Sequence, residues 1–179
     1  ASMLATGNTS TRERFWDLHG TGFLSGLIAH YGSHADPKKR NLLEARDLLL
    51  CDDPMYQTAV VADSKPKSKL AYREICGFLN QAERDTRPSV LATTTSYLKP
   101  LSSDLVRPAI ANSTFSLEQV INGEPLTIYL IFPVEKLVSH AGLLRILLGT
   151  LLAAILKRRF RPESRTLFLI DECAQLGHF

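Results

Sequence analysis

The stretch that most constrains the fold lies at the end of the sequence. Four apolar residues, Leu167 to Ile170, run directly into two adjacent carboxylates, Asp171 and Glu172. A short continuous apolar run of this kind predicts a strand that is buried on both faces, as in a parallel sheet. Asp171 and Glu172 would then follow the carboxyl end of the strand, where open α/β sheets place their ligands.

The order of these residues is that of a Walker B strand. In such a strand the first carboxylate, here Asp171, is associated with the Mg²⁺ of a bound nucleotide, and the second, here Glu172, polarises the attacking water. Two neighbouring carboxylates are costly in an apolar setting unless a cation or hydrogen bonds compensate their charge. The alternative is a strand that simply ends in an acidic loop, and the short string alone leaves both interpretations open.

The complementary phosphate-binding motif does not occur in these 179 residues. That loop needs Gly-x-x-x-x-Gly-Lys-Ser/Thr, because backbone N–H groups, a lysine and a hydroxyl converge on the phosphates. No glycine in the sequence is followed by lysine. We therefore expect the chain to be a piece of a larger protein that holds the other half of any nucleotide site, and we expect no ATP hydrolysis by the chain alone.

The overall composition is that of an ordinary globular protein. The sequence is 45% apolar and 22% charged, so a packed core is feasible, and its net charge of +3 is too small to indicate nucleic-acid binding by itself. The three cysteines (Cys51, Cys76 and Cys173) lack metal-ligand spacing and fit a reducing compartment. The most apolar stretch, 143–156, contains Arg145 and is shorter than a bilayer span, so we predict no membrane crossing.

Helical patterns fill the first two thirds of the chain. We interpret residues 1–9 as a tag or linker, and capping residues and apolar spacing predict a succession of helices over 10–115. Gly20, Gly22 and Gly26 would weaken an isolated first helix, but in a packed helix they allow another backbone to approach closely.

The pattern changes after residue 115. A β-branched and aromatic run at 126–132 predicts a buried strand, a long helix is expected at about 139–160, and the apolar run at 167–170 predicts the next strand. Such a strand–helix–strand unit has a right-handed, parallel crossover. The predicted fold class is therefore mainly α, with a helical bundle over 10–115 followed by a partial α/β unit over 116–179.

Basic segments are the candidate contact surfaces. The Pro-containing loop at 63–68 predicts an exposed surface, and its lysines together with the next one are the candidates for substrate binding: Lys65, Lys67 and Lys69. The runs 38–40 and 157–161 could contact DNA, although basic residues also suit a solvated surface or the negative end of a helix dipole. His30 and His34 have the spacing of a metal pair, but we expect solvated histidines at a helix end and predict no metal site in this chain.

Several stretches together occur in the order of one known family. They are Glu13–Asp17, Ser89–Ser96, Leu98–Leu101, Phe115–Leu117, Gly123–Pro133, His140–Arg145 and Leu167–Gly177. Taken together they resemble the type IV coupling proteins of bacterial conjugation and type IV secretion, the TraG/TraD-like family. The resemblance spans almost the whole chain, and the Gly-Glu-Pro strand and the terminal motif are its most specific parts.

The resemblance implies a hexameric ATPase anchored in the bacterial inner membrane, with a RecA-like P-loop motor that carries an inserted all-alpha domain. Residues 10–115 look like that cytoplasmic domain, and residues 116–179 look like the return into the motor, ending at its Walker B strand. Within the intact protein, Asp171 would be the carboxylate associated with Mg-ATP and Glu172 the catalytic carboxylate.

The resemblance also implies the partners. The all-alpha domain would receive secreted effector proteins or relaxase–DNA complexes, many of which carry C-terminal signals, next to other type IV secretion components. A tail held in a groove between helices is the expected mode of recognition. Two alternatives stay open at this point, direct DNA binding and a purely structural cap of the hexamer.

Overall fold

The computed structural model describes residues 11–104, 106–163 and 165–171, with side chains from residue 14 onward. This part of the chain is helical. The α-helices are α1 (Thr11–Gly32), α2 (Leu42–Leu49), α3 (Pro54–Asp63), α4 (Lys69–Leu79), α5 (Thr86–Leu98), α6 (Val106–Ala111), α7 (Leu117–Asn122) and α8 (Leu137–Leu156). Short 3₁₀ turns lie at Pro37–Lys39, Lys99–Ser102 and Val134–Lys136. The chain forms two compact units, Ala1–Ala111 and Asn112–Phe179.

The first unit is built around α1, which contacts α2, α4 and α5. Its core-facing side chains Phe23, Leu24 and Leu27 are almost completely buried. The ring of Phe23 stacks on that of Phe78 in α4, with centroids 3.9 Å apart. Because α1 makes most of its contacts with helices far along the chain, it holds the unit together.

Two glycines of α1 explain how closely these helices approach. A Cβ at Gly26 would lie 2.9 Å from Glu74 Cβ, and a Cβ at Gly20 would lie 3.1 Å from Thr93 Cγ2. Real Cβ atoms essentially never show a contact as short as the one at Gly26, and the one at Gly20 is tighter than most, so a side chain at either position would force its neighbour to shift. This confirms the prediction that glycines of the first helix let other elements pack against it.

Side-chain caps begin the next helices where the sequence indicated. Three N-cap side chains accept a hydrogen bond from the backbone N–H three residues later: Asn41 from Glu44, Asp53 from Tyr56, and Ser68 from Ala71. Each satisfies one of the N–H groups that a helix start leaves unpaired. The sequence Ser-Thr-Arg-Glu at 10–13 is also a capping-box signal, but Ser10 lies outside the described residues.

The second unit packs α7 against α8. Ser116 and Gln119 form a capping box at the start of α7, and Gly123 ends the helix in the left-handed conformation with φ of +69°. The small core contains Val120, Leu151 and Ala154. The apolar side chains packed against it are Phe115, Ile121, Ile128, Leu130, Ile155 and Phe168.

The two predicted buried strands, at 126–132 and 167–170, are wrong for the described residues, which have no regular secondary structure there. Exposure alternates along the first segment, since Ile128 and Leu130 pack on the core while Ile131 is 86% exposed. In the second segment Phe168 packs on the core while Leu169 is 92% exposed. A doubly buried strand needs hydrogen-bonded neighbours and packing on both faces, and here α7 and α8 cover one face only.

The mainly helical fold class is confirmed, and one prediction about the long helix needs correction. The sequence prediction excluded a membrane span because 143–156 is short, but the helical stretch begins earlier and runs continuously over Val134–Leu156. By length and composition alone, its 23 residues could cross a bilayer. The core helix of a soluble protein meets the same criterion, and Leu143, Leu148 and Ala154 are buried here. The argument from length was therefore wrong, and length alone does not assign the helix to a membrane.

Candidate functional site

A groove of about 650 Å³ lies between α1 and α4 in the first unit. The stacked rings of Phe23 and Phe78 belong to its lining. Its remaining lining residues are Leu18, His19, Thr21, Gly22, Ser25, Arg73, Glu74, Gly77 and Gln81. Its volume falls in the range of sites that hold small ligands or a few residues of a peptide.

Small and inward-bonded side chains keep this groove open. A Cβ at Gly77 would meet no other atom within 4 Å, so the surface above α4 is free at that point. On the α1 side, the hydroxyls of Thr21 and Ser25 donate to carbonyl oxygens of their own helix, at 2.6 Å to Asp17 and 2.7 Å to Thr21. These hydroxyls therefore add little polarity to the groove.

A polar pair is part of the lining. Gln81 Nε2 and His19 Nδ1 lie 2.9 Å apart, and Gln81 Oε1 is buried with no hydrogen-bond partner among the described residues. If the amide were turned over, Nε2 would be the unpaired end instead, so either orientation leaves one polar end of Gln81 unsatisfied. An unpaired buried polar group costs about 1–3 kcal/mol, so this amide is a local destabilising feature of the first unit.

The α4 wall carries a basic stripe. Lys69, Arg73 and Gly77 are spaced four residues apart, so they follow one face of the helix. The Arg73 side chain is 78% exposed and its Nη2 lies 3.4 Å from Glu74 Oε1, an exposed contact that holds the guanidinium only weakly. The structure thus places one predicted contact residue, Lys69, on the same helix face as a charged residue of the groove.

The other two candidate lysines precede this helix. Lys65 and Lys67 are exposed in the loop between α3 and α4. Lys65 has φ of +50°, a left-handed conformation that is uncommon for a residue with a side chain. The loop is therefore exposed as predicted, and the groove itself contains neither of these two lysines.

The next candidates are the two residues predicted to bind the nucleotide, Asp171 and Glu172. Asp171 is exposed and follows the irregular segment 165–170, whereas Glu172 lies outside the described residues. A carboxylate oxygen suits Mg²⁺, but the described residues hold no cluster of three or more His, Cys, Asp or Glu side chains. Asp171 alone does not form a Mg-ATP site, so the residues described do not fit the whole group and we derive no catalytic step from them.

Each of the two basic segments has an arginine that is hydrogen-bonded within the chain. At 38–40, Lys38 and Lys39 are exposed, while Arg40 Nε donates to the His34 carbonyl at 2.8 Å. At 157–161, Arg158 Nε donates to the Val120 carbonyl at 2.9 Å, so this guanidinium stabilises its own unit. Each run therefore offers fewer cations to a polyanion than its sequence indicates.

The two histidines at the end of α1 lie near each other, with ring centroids 5.9 Å apart. Burial lowers the pKa of His30, and the nearby His34 and Lys39 lower it further. This direction favours the neutral ring at neutral pH. In the described part of the chain, no third ligand completes a metal cluster with them.

Sequence reasoning missed the groove because its parts are distant in sequence. His19 and Gln81 are 62 positions apart, and neither stands in a recognisable motif. The one available signal was the glycine spacing, since Gly22 and Gly26 are a helix turn apart on α1 and predict close packing on that face. The glycine spacing predicts that another element packs on this face of α1, but it does not indicate that the element is α4.

The comparisons with known proteins agree on one family. The family described as Type IV secretory system Conjugative DNA transfer matches residues 1–179. The chain is similar to a probable conjugal transfer protein TraG of Sinorhizobium fredii, with 26% identity over 176 residues, covering 96% of this chain and 27% of the relative. It is also similar to the conjugal transfer protein TraG of Agrobacterium fabrum, with 26% identity over 184 residues, covering 99% of this chain and 28% of the relative.

A third relative is the type IV secretion system-coupling protein VirD4 of Bartonella quintana, with 23% identity over 168 residues, covering 92% of this chain and 26% of the relative. The chain therefore spans about a quarter of the length of the curated relatives it matches. No solved structure matches the chain significantly.

Proposed function

Because this chain belongs to the family of type IV secretory system proteins of conjugative DNA transfer, we propose that the intact protein is an ATP-driven coupling protein. Its helical unit receives substrates for translocation, either secreted effector proteins or relaxase–DNA complexes. The observation that carries this role is the open groove between α1 and α4, whose lining includes the exposed guanidinium of Arg73. Concave sites between the helices of a bundle are common places for ligands to bind.

The residues that follow the helical unit belong, in this proposal, to a RecA-like motor. What supports this is the apolar run that leads into Asp171 and Glu172, together with the family match. Asp171 would be associated with Mg-ATP and Glu172 would polarise the attacking water in the intact protein. We also propose that the intact protein is a homohexamer that is anchored in the bacterial inner membrane. In this proposal the present chain lies in the cytoplasm and contacts other type IV secretion components.

The receptor role is tested with the intact protein and the C-terminal tails of proteins that its own system secretes. We expect saturable binding of a genuine tail in a fluorescence anisotropy titration, and no binding of a scrambled tail of the same composition. Equal binding of both tails would contradict the proposal, because recognition would then depend on composition alone.

The motor role has a separate test. Glu172→Gln in the intact protein should abolish ATP turnover while nucleotide binding stays nearly unchanged, because the substitution removes the carboxylate that polarises water and keeps the size of the side chain. Unchanged turnover in this variant would reject the role of Glu172. It would leave the receptor role unaffected.

Direct DNA binding is a second candidate function, and the exposed Lys38 and Lys39 favour it. Neutralising phosphates with lysine and arginine releases counterions, so such binding weakens steeply as salt rises. DNA affinity that falls with salt and is lost in Lys38→Gln/Lys39→Gln would support this function. Affinity that does not depend on salt would dismiss it.

A further inference from the structure

We infer that α6 is a detachable helix, which the ion pair between Arg107 and Asp47 holds against α2 and which separates from α2 when that pair opens. The separation is independent of the proposed receptor role, because it involves only contacts within the first unit. α6 is the last helix of that unit, which ends at Ala111. Its release would therefore lengthen the segment of chain that joins the two units.

The apolar anchoring of α6 is weak. None of its six residues is buried, and Arg107, Pro108 and Ala109 are exposed. A helix shorter than about 12 residues is marginal by itself in water, and in a protein it depends on packing of its apolar face. The neighbouring helix α2 has such packing, with four buried residues: Leu43, Ala45, Leu48 and Leu49. Hydrophobic burial therefore stabilises α2 much more than α6.

A forked ion pair supplies the polar contact of α6 with α2. Arg107 Nη1 donates to Asp47 Oδ1 and Arg107 Nη2 donates to Asp47 Oδ2, both at 3.1 Å. Two parallel bonds of this kind give the pair a defined geometry as well as a charge attraction. Arg46 Nη1 also donates to Asp47 Oδ1, at 2.6 Å. Because Arg46 and Asp47 both belong to α2, the acceptor for Arg107 is oriented without a contribution from α6.

The ion pair is accessible to solvent. The side chains of Arg107 and Asp47 are 46% and 44% exposed. Water and dissolved salt screen the attraction between charges at such an exposure, and pairs of this kind contribute little stability on average. Segments with few buried contacts open locally, without unfolding of the whole domain. α6 has the properties of such a segment, and salt weakens the contact that holds it.

Hydrogen exchange of the 179-residue chain, followed residue by residue by NMR, tests the detachment. We expect the amides of Ile110 and Ala111 to exchange faster than those of the buried residues Leu24 and Leu27 in α1. Raising the salt concentration from about 0.1 M to about 1 M shortens the Debye length from about 10 Å to about 3 Å, so it should accelerate exchange in α6. Exchange in α6 as slow as in α1 would overturn the inference, because α6 would then open only with the whole unit.

A variant without the ion pair and a matched control identify the contact that holds α6. In Arg107→Gln we expect exchange of the α6 amides to become about two- to fivefold faster, which is the range for an exposed ion pair, and to lose its salt dependence. Arg84→Gln is the control, because it also removes an exposed arginine of the first unit, and it should leave exchange in α6 unchanged. Unchanged exchange in Arg107→Gln would overturn the inference.

A conservative variant separates the charge of Arg107 from its forked geometry. Arg107→Lys keeps the positive charge but cannot form the two parallel bonds. We expect its exchange rates in α6 to lie between those of the unaltered chain and Arg107→Gln, and we expect them still to rise with salt. Exchange in Arg107→Lys that does not respond to salt would contradict an ionic contact.

Discussion

Tyr97 Oη donates a hydrogen bond of 2.7 Å to Asp17 Oδ1 and thereby links α5 to α1, two helices whose bonded residues are 80 positions apart. Tyr97 is only 6% exposed. Burial and this hydrogen bond raise the pKa of the Tyr97 phenol, in that order of importance, because both disfavour the phenolate. The bond is thus a polar link between two helices that are distant in sequence.

Removing the Tyr97 hydroxyl should therefore destabilise the first unit. We expect Tyr97→Phe to lower the free energy of unfolding by about 1–2 kcal/mol, because a partly buried hydrogen bond to a carboxylate is lost while the ring remains. Urea unfolding followed by circular dichroism measures this change. Tyr56→Phe is the control, since Tyr56 is 61% exposed, and an equal effect of both substitutions would contradict the role of the bond.

Because the pKa values of Tyr97 and Tyr31 are raised in the folded protein, we expect the free energy of unfolding to fall at alkaline pH. Burial, followed by the charge of Glu44, raises the pKa of Tyr31 to about 12. In the unfolded chain both phenols ionise near their ordinary pKa of about 10. The contribution of these two phenols to the free energy of unfolding is therefore complete below about pH 10. It is lost as the pH rises towards about 12, because the phenols of the unfolded chain release their protons first.

Urea midpoints measured across this alkaline window should decrease, and they should decrease less steeply in Tyr31→Phe and in Tyr97→Phe. A midpoint that stays constant above about pH 10 would show that neither phenol has a raised pKa in the folded protein.

The close approach of α1 and α4 predicts opposite effects for two identical substitutions. Gly26→Ala should lower the free energy of unfolding by about 1–3 kcal/mol, because the new Cβ would lie 2.9 Å from Glu74 Cβ. Gly77→Ala should raise it by up to about 1 kcal/mol, since its Cβ meets open space and alanine favours a helix. Thermal unfolding of both variants provides the comparison, and a destabilising Gly77→Ala would count against the described surface of α4.

We expect Arg158, which belongs to the basic run 157–161, to have a structural role. Its Nε donates to the Val120 carbonyl at 2.9 Å and its Nη1 to Thr166 Oγ1 at 2.8 Å. Lysine cannot reproduce this forked geometry, so Arg158→Lys should destabilise the second unit by about 1–2 kcal/mol.

Hydrogen exchange of the α7 and α8 amides measures this change, and faster exchange is expected in Arg158→Lys. The neighbouring Arg159 is exposed, so Arg159→Lys is the matched control and should leave the exchange rates unchanged. Identical exchange in the two variants would show that the Arg158 hydrogen bonds are dispensable.

Local signals in the sequence predicted the helices well. The caps at Asn41 and Asp53 are satisfied within three residues of the chain, so their geometry can be read from neighbouring positions. The strands predicted around Ile131 and Leu169 failed because a strand needs partners that local sequence does not specify. For the same reason, the pairing of His19 with Gln81 could not be predicted from either residue.

The central claim, that the helical unit receives secretion substrates, is tested most directly by a titration of the isotope-labelled 179-residue chain with the C-terminal tail of a protein secreted by the same system. We predict localised and saturable shifts of backbone amide signals within Thr11–Ala111, with the largest shifts along α1 and α4. The absence of shifts from several genuine tails, on a sample whose spectrum shows it to be folded, would contradict the claim.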